Sequence, residues 1–116
     1  MYICMDLGGT ALKYGFGTPQ EGLLHHGVVP LTDTSRRGIL DLLAGTAQEL
    51  LRRFPADRPL RAIALGSPGI IDTETGRVLS HCPNLPEWKG AEPGAELQRI
   101  LGVPVFVDND ANLMAY

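Results

Sequence analysis

The 116-residue sequence predicts an α/β domain built on a mixed sheet. Residues 2 to 31 are short apolar runs broken by glycine turns, the pattern of antiparallel strands. Residues 36 to 54 repeat apolar side chains at three- and four-residue spacing, the pattern of one amphipathic helix. Beyond that helix, apolar runs alternate with a second helical segment, which is how strands come to lie parallel in one sheet.

The elements follow in order. Tyr2 to Leu7 reads as a strand ending at the Gly8-Gly9-Thr10 turn, Ala11 to Phe16 as a second strand and Leu23 to Leu31 as a third. Asp33, Thr34 and Ser35 offer N-caps for the helix over 36 to 54, and Pro55 and Pro59 end it. Leu60 to Leu65 is a buried strand that stops at Gly66-Ser67-Pro68-Gly69. Ile70-Ile71 and Arg77 to Leu79 form two short strands about a polar turn. Cys82 to Gly94 holds three prolines and two glycines and reads as an irregular loop around Trp88. Ala95 to Leu101 is a short helix, Val103 to Val107 a strand, and Ala111 the opening of another helix.

Composition narrows the function classes. A net charge of -3 and ten Lys and Arg against thirteen Asp and Glu argue against a nucleic-acid surface, which needs clustered cations. The apolar stretches fall far short of the roughly 18 residues of a membrane helix. The two cysteines, Cys4 and Cys82, form no closely spaced pair, and Met1 leads directly into a strand with no export signal. A reduced, cytoplasmic, soluble protein with one core is expected.

Three strand ends carry the residues with chemistry. At Asp6-Leu7-Gly8-Gly9-Thr10, glycines let backbone N–H groups approach an anion, and Thr10 adds a hydroxyl donor. Asp6 is negative and suits Mg²⁺ instead, directly or through water. A hairpin turn in which the glycines merely supply backbone freedom explains the same five residues. At Asp108-Asn109-Asp110, with Asn112 beyond, an acid at the mouth of the sheet can accept a proton from an attacking hydroxyl, and Asn109 can hold neighbouring hydroxyls. A helix N-cap is the structural alternative. Ser67-Pro68-Gly69 is a rigid turn where Gly69 permits close approach of a ligand, or a turn and nothing more. Lys13 can reach a phosphate or lie on a solvated face. Trp88 can stack on a sugar ring, although burial is the simpler fate. His25, His26 and His81 lack metal-ligand spacing and receive no role.

Five segments in register, D-L-G-G-T-A-L-K-Y-G at 6 to 15, G-S-P-G-I-I-D at 66 to 72, T-G-R-V at 75 to 78, P-N-L-P-E-W-K-G at 83 to 90 and G-V-P-V-F-V-D-N-D-A-N at 102 to 112, resemble the ROK family of repressors and sugar kinases. The resemblance implies a ribonuclease-H-like lobe of the actin-like ATPase and hexokinase kind, a mixed five-stranded sheet with flanking helices. It implies transfer of the γ-phosphate of ATP to a hexose hydroxyl, the 6-hydroxyl in glucokinase-like members, with Mg²⁺ as cofactor. It places Asp6, Gly8, Gly9 and Thr10 in a phosphate loop with Lys13 nearby, Gly69 beside the sugar, and Asn109 and Asp110 on sugar hydroxyls. Asp110 becomes the general base, while Asn84 and Trp88 border the sugar cleft.

By the same resemblance, the family's sugar-binding Glu and His, its cysteine-rich zinc motif and its adenosine segment lie downstream of Asn112. Residues 1–116 are therefore expected to form an amino-terminal lobe whose second lobe is absent, with no zinc ligands of its own. The expected partners are a small-molecule sugar and ATP, neither nucleic acid nor membrane, and a homodimer stays open. Only five residues precede Asp6, so the helix-turn-helix of the repressor branch is not expected. The competing expectation is a non-catalytic lobe that binds sugar or serves as an interaction module.

Overall fold

The computed structural model describes residues 1–53, 59–80 and 82–109. β1 (Tyr2–Leu7), β2 (Ala11–Thr18) and β3 (Gly22–Pro30) form an antiparallel meander. After α1 (Arg36–Arg53) the chain enters β4 (Ala62–Ser67), which pairs parallel to β1. A separate hairpin of β5 (Ile70–Asp72) and β6 (Arg77–Ser80) follows, then a 3-10 turn at Pro86–Trp88. α2 (Pro93–Leu101) then leads to β7 (Val105–Asn109), parallel to β4. The five-stranded sheet runs in the order β3-β2-β1-β4-β7.

Period-two patterning sets which face of β1 is inside. Ile3, Met5 and Leu7 are buried, while Tyr2 and Cys4 are exposed on the other face. The inward set joins Ile63, Leu65 and Val107 in one core with Ile39, Leu43 and Ala47 of α1 and Leu97 of α2. α1 starts where the Asp33-Thr34-Ser35 run predicts. The backbone N–H of Gly38 donates to Ser35 Oγ at 3.1 Å, and that of Ser35 donates to Asp33 Oδ1 at 3.0 Å. Arg52 and Arg53 in its last turn oppose the negative end of the helix dipole, and Arg52 pairs with Glu49. α2 begins two residues earlier than periodicity suggests because Pro93 occupies its first turn, where a missing N–H costs nothing. It ends at Gly102, whose φ of 72° provides the left-handed cap.

Two strands sit later in the chain than their apolar runs imply. β4 starts at Ala62 because that residue is the first with a partner, Tyr2, on β1. β7 starts after Pro104, which has no N–H to give the ladder. It continues through Asp108 and Asn109 because Gly66 and Ser67 extend the neighbouring edge. Phe54, where the predicted helix ended, lies outside the described residues, as do His81 and the helix expected from Ala111.

Candidate functional site at the carboxyl edge of the sheet

Because β1, β4 and β7 are parallel, their carboxyl ends share one edge of the sheet. Asp6 pairs with Gly66, Gly66 with Asp108, and Ser67 with Asn109. Lys13 on β2 is the partner of Asp6 on the other side. Residues in register share a face, and strands lie ~4.8 Å apart, so Asp6 and Asp108 stand about 10 Å from each other across a position that carries no side chain. The three turns that sequence reading singles out thus converge on one edge.

On the β1 side, the N–H of Gly8 closes the turn by donating to the Ala11 carbonyl at 2.9 Å, and the N–H of Leu31 donates to the Thr10 carbonyl at 2.9 Å. Thr10 and Lys13 are exposed. Asp6 Oδ1 is sealed from solvent yet accepts no hydrogen bond, from Lys13 or any other described residue. An orphaned buried acceptor is costly and calls for an explanation. A hard cation that takes one or two carboxylates and keeps its waters fits this donor, so Asp6 is suited to Mg²⁺. Among the described residues no three His, Cys, Asp or Glu side chains gather around a common point.

On the β4 side, Gly69 has φ of 97°, and a Cβ there would lie 2.7 Å from Cys82 Sγ and would also overlap the Ser80 carbonyl. Only glycine fits both that conformation and that space. Trp88 is fully buried, and its indole Nε1 donates to Ser67 Oγ at 2.8 Å, while Ser67 Oγ donates to the Pro68 carbonyl at 3.0 Å. Trp88 is therefore a buried anchor tying the 82–90 loop to the root of the Gly69 turn, the simpler of its two expected roles. Arg36 at the start of α1 secures the same loop, donating from Nε to the Glu87 carbonyl at 3.2 Å and from its guanidinium end to that of Lys89 at 2.5 Å.

On the β7 side, Asp108 and Asn109 belong to the strand itself and are half-buried, and the N–H of Asn109 donates to Asp108 Oδ1 at 2.8 Å. Asp110, expected as the general base, lies outside the described residues. A groove of about 890 Å³ between the β5–β6 turn and α2 opens beside Asp108, but neither Gly8–Thr10 nor Gly69 lines it. It shares only Asp108 with the convergence of the turns. Sequence reading missed the Asp6–Gly66–Asp108 row and the Arg36 clamp. Both depend on contacts between residues far apart in the chain, which no local pattern signals.

An antiparallel meander continued by two parallel strands, with loops gathered at their carboxyl edge, defines the ribonuclease-H-like lobe of the actin-like ATPases and sugar kinases. The chain belongs to the ROK family, whose family model matches residues 2–116. It is 33% identical over 117 residues to an N-acetyl-D-glucosamine kinase of Vibrio parahaemolyticus, covering 99% of this chain and 36% of that kinase. It superposes on a ROK family glucokinase from Streptomyces griseus, solved in complex with glucose and AMPPNP, with a TM-score of 0.83 and 25% identity. That match covers 99% of this chain and 35% of the glucokinase. A ROK family transcriptional regulator, a homolog of the E. coli MLC protein, superposes with a TM-score of 0.85 and 25% identity over 98% of this chain and 28% of the regulator. The chain thus spans about a third of the length of these relatives. No helix among the described residues is long and apolar enough to cross a membrane.

Proposed function

We propose that residues 1–116 form the amino-terminal lobe of an ATP-dependent sugar kinase that transfers the γ-phosphate of ATP to a hexose hydroxyl, the 6-hydroxyl. The observation that carries this reading is the convergence of Asp6–Thr10, Ser67–Gly69 and Asp108–Asn109 on one edge of the sheet. The relatives agree with it, since an N-acetyl-D-glucosamine kinase is similar in sequence and a glucokinase shares the fold.

In this reading the backbone N–H groups of Gly8 to Thr10 face the phosphates, with Thr10 Oγ1 as a further donor and Lys13 as a nearby cation. Asp6 holds Mg²⁺, which when bound supplies charge neutralisation at the phosphate oxygens. Gly69 lets backbone approach the sugar, Asn109 holds its hydroxyls, and Asp110 accepts the proton of the attacking hydroxyl. Most of the acceleration comes from positioning, because a general base contributes typically ~10² to 10⁴-fold. Asp110→Asn in the full-length enzyme should therefore lower kcat by about that range while hexose affinity, measured by calorimetry, changes little. Near-normal kcat in that variant would remove Asp110 from the role.

The regulator that shares this fold favours a second reading, a lobe that binds ligand without phosphoryl transfer. The fold is common to both classes. Hexose-dependent ADP release separates them.

A further inference from the structure

Asn84 lies in the loop after β6, yet its side chain stands against the turn after β1. A Cβ built on Gly9 would lie 3.1 Å from Asn84 Cβ and 3.2 Å from its Nδ2. A side chain at Gly9 would press on Asn84 and require it to give by a few tenths of an ångström. The carboxamide is exposed, and it makes no hydrogen bond to any described residue. The loop around it, by contrast, is held at several points. Leu85 next to it is buried and donates its N–H to the Cys82 carbonyl at 3.1 Å. Trp88 is buried and bonded to Ser67, and Arg36 binds two carbonyls of the same loop. A free amide donor is thus held in place over a glycine turn, an arrangement that costs little reorganisation when a ligand arrives.

We propose that Asn84 positions the phosphoryl group, its side-chain N–H donating to an oxygen of the phosphate bound at Gly8–Thr10. This inference rests on the sugar kinase reading and deepens it. The sequence resemblance sets the segment beside the sugar, whereas the contact with Gly9 assigns Asn84 to the phosphate side. A neutral donor suits the task because negative charge is spread over the equatorial oxygens during transfer, and a hydrogen bond there needs no proton exchange. Asn84 begins and ends the reaction as a neutral amide.

The test uses the full-length protein with ATP and a hexose that supports turnover. Asn84→Ala should lower kcat by about 10- to 100-fold and leave the KM for the hexose within about threefold. Asn84→Asp should be worse than Asn84→Ala, because a carboxylate repels the phosphate, whereas a merely structural position would not rank the two by charge. Equal kcat for parent and both variants would overturn the proposal. So would a rise in hexose KM at constant kcat, which would make Asn84 a sugar ligand. Calorimetry with AMPPNP gives a readout independent of turnover. Asn84→Asp should weaken binding by about tenfold or more, and unchanged affinity overturns the proposal even where no hexose is phosphorylated. Absence of turnover in the parent with every hexose instead counts against the sugar kinase reading.

Discussion

Ser67 shows how one hydroxyl can join core, loop and candidate site. Its Oγ accepts from the Trp88 indole and donates to the Pro68 carbonyl, and both Ser67 and Trp88 are fully buried. Ser67→Ala would leave the indole N–H without a partner in the interior, at a cost of about 1–3 kcal/mol. Urea denaturation followed by the fluorescence of Trp88 should show the midpoint falling accordingly, and an unchanged midpoint would mean that the indole finds another acceptor. The role of Trp88 as an anchor was one of two fates open in the sequence. What decides for burial is a partner 21 residues away, beyond the reach of local patterning. Asp6 is the reverse case. Its position before Gly8-Gly9 was legible at once, but its orphaned Oδ1 emerges only from packing.

Among the elements, α1 was the most legible because its cap, its periodicity and its basic last turn agree with one another. β4 and β7 were less so, since strand limits follow from their partners rather than from their own apolar runs. The displacement matters for the site, because it draws Asp108 and Asn109 into the sheet, in line with Gly66 and Ser67. The cap of α1 also carries a pH signature. Hydrogen bonds from Ser35, first from its side chain and then from its backbone, hold the Asp33 carboxyl below its ordinary value of 3.8. A depressed folded-state value means stability that is present above pH 3.8 and lost as pH falls through the lower folded value. Asp33 is wholly exposed, so solvent screening keeps the effect small. Urea midpoints for the parent and Asp33→Asn should differ at pH 6 and converge on acidification below the ordinary value. A gap that widens with acid would contradict the assignment.

At the scale of the molecule, the sheet presents two unlike faces. One is sealed by α1 and α2, while the other exposes Tyr2, Cys4 and Phe106, the last at 64%. Burial nonetheless raises the Cys4 thiol above its ordinary range. Asp6 and Asp108 project on the open face by register, at the edge where the turns meet. The sequence made the family and the approximate order of elements readable because five short segments keep their spacing over nearly the whole chain. It could not reveal which turns touch, since adjacency across β1, β4 and β7 is a property of topology. The central claim is that this edge is the phosphate and sugar side of a kinase cleft. It is tested most directly by coupled ADP release from the full-length protein, given Mg-ATP and a panel that includes glucose and N-acetylglucosamine. The account predicts ADP formation that depends on at least one hexose and yields the sugar 6-phosphate. ADP release that is absent, or indifferent to every hexose supplied, would contradict it.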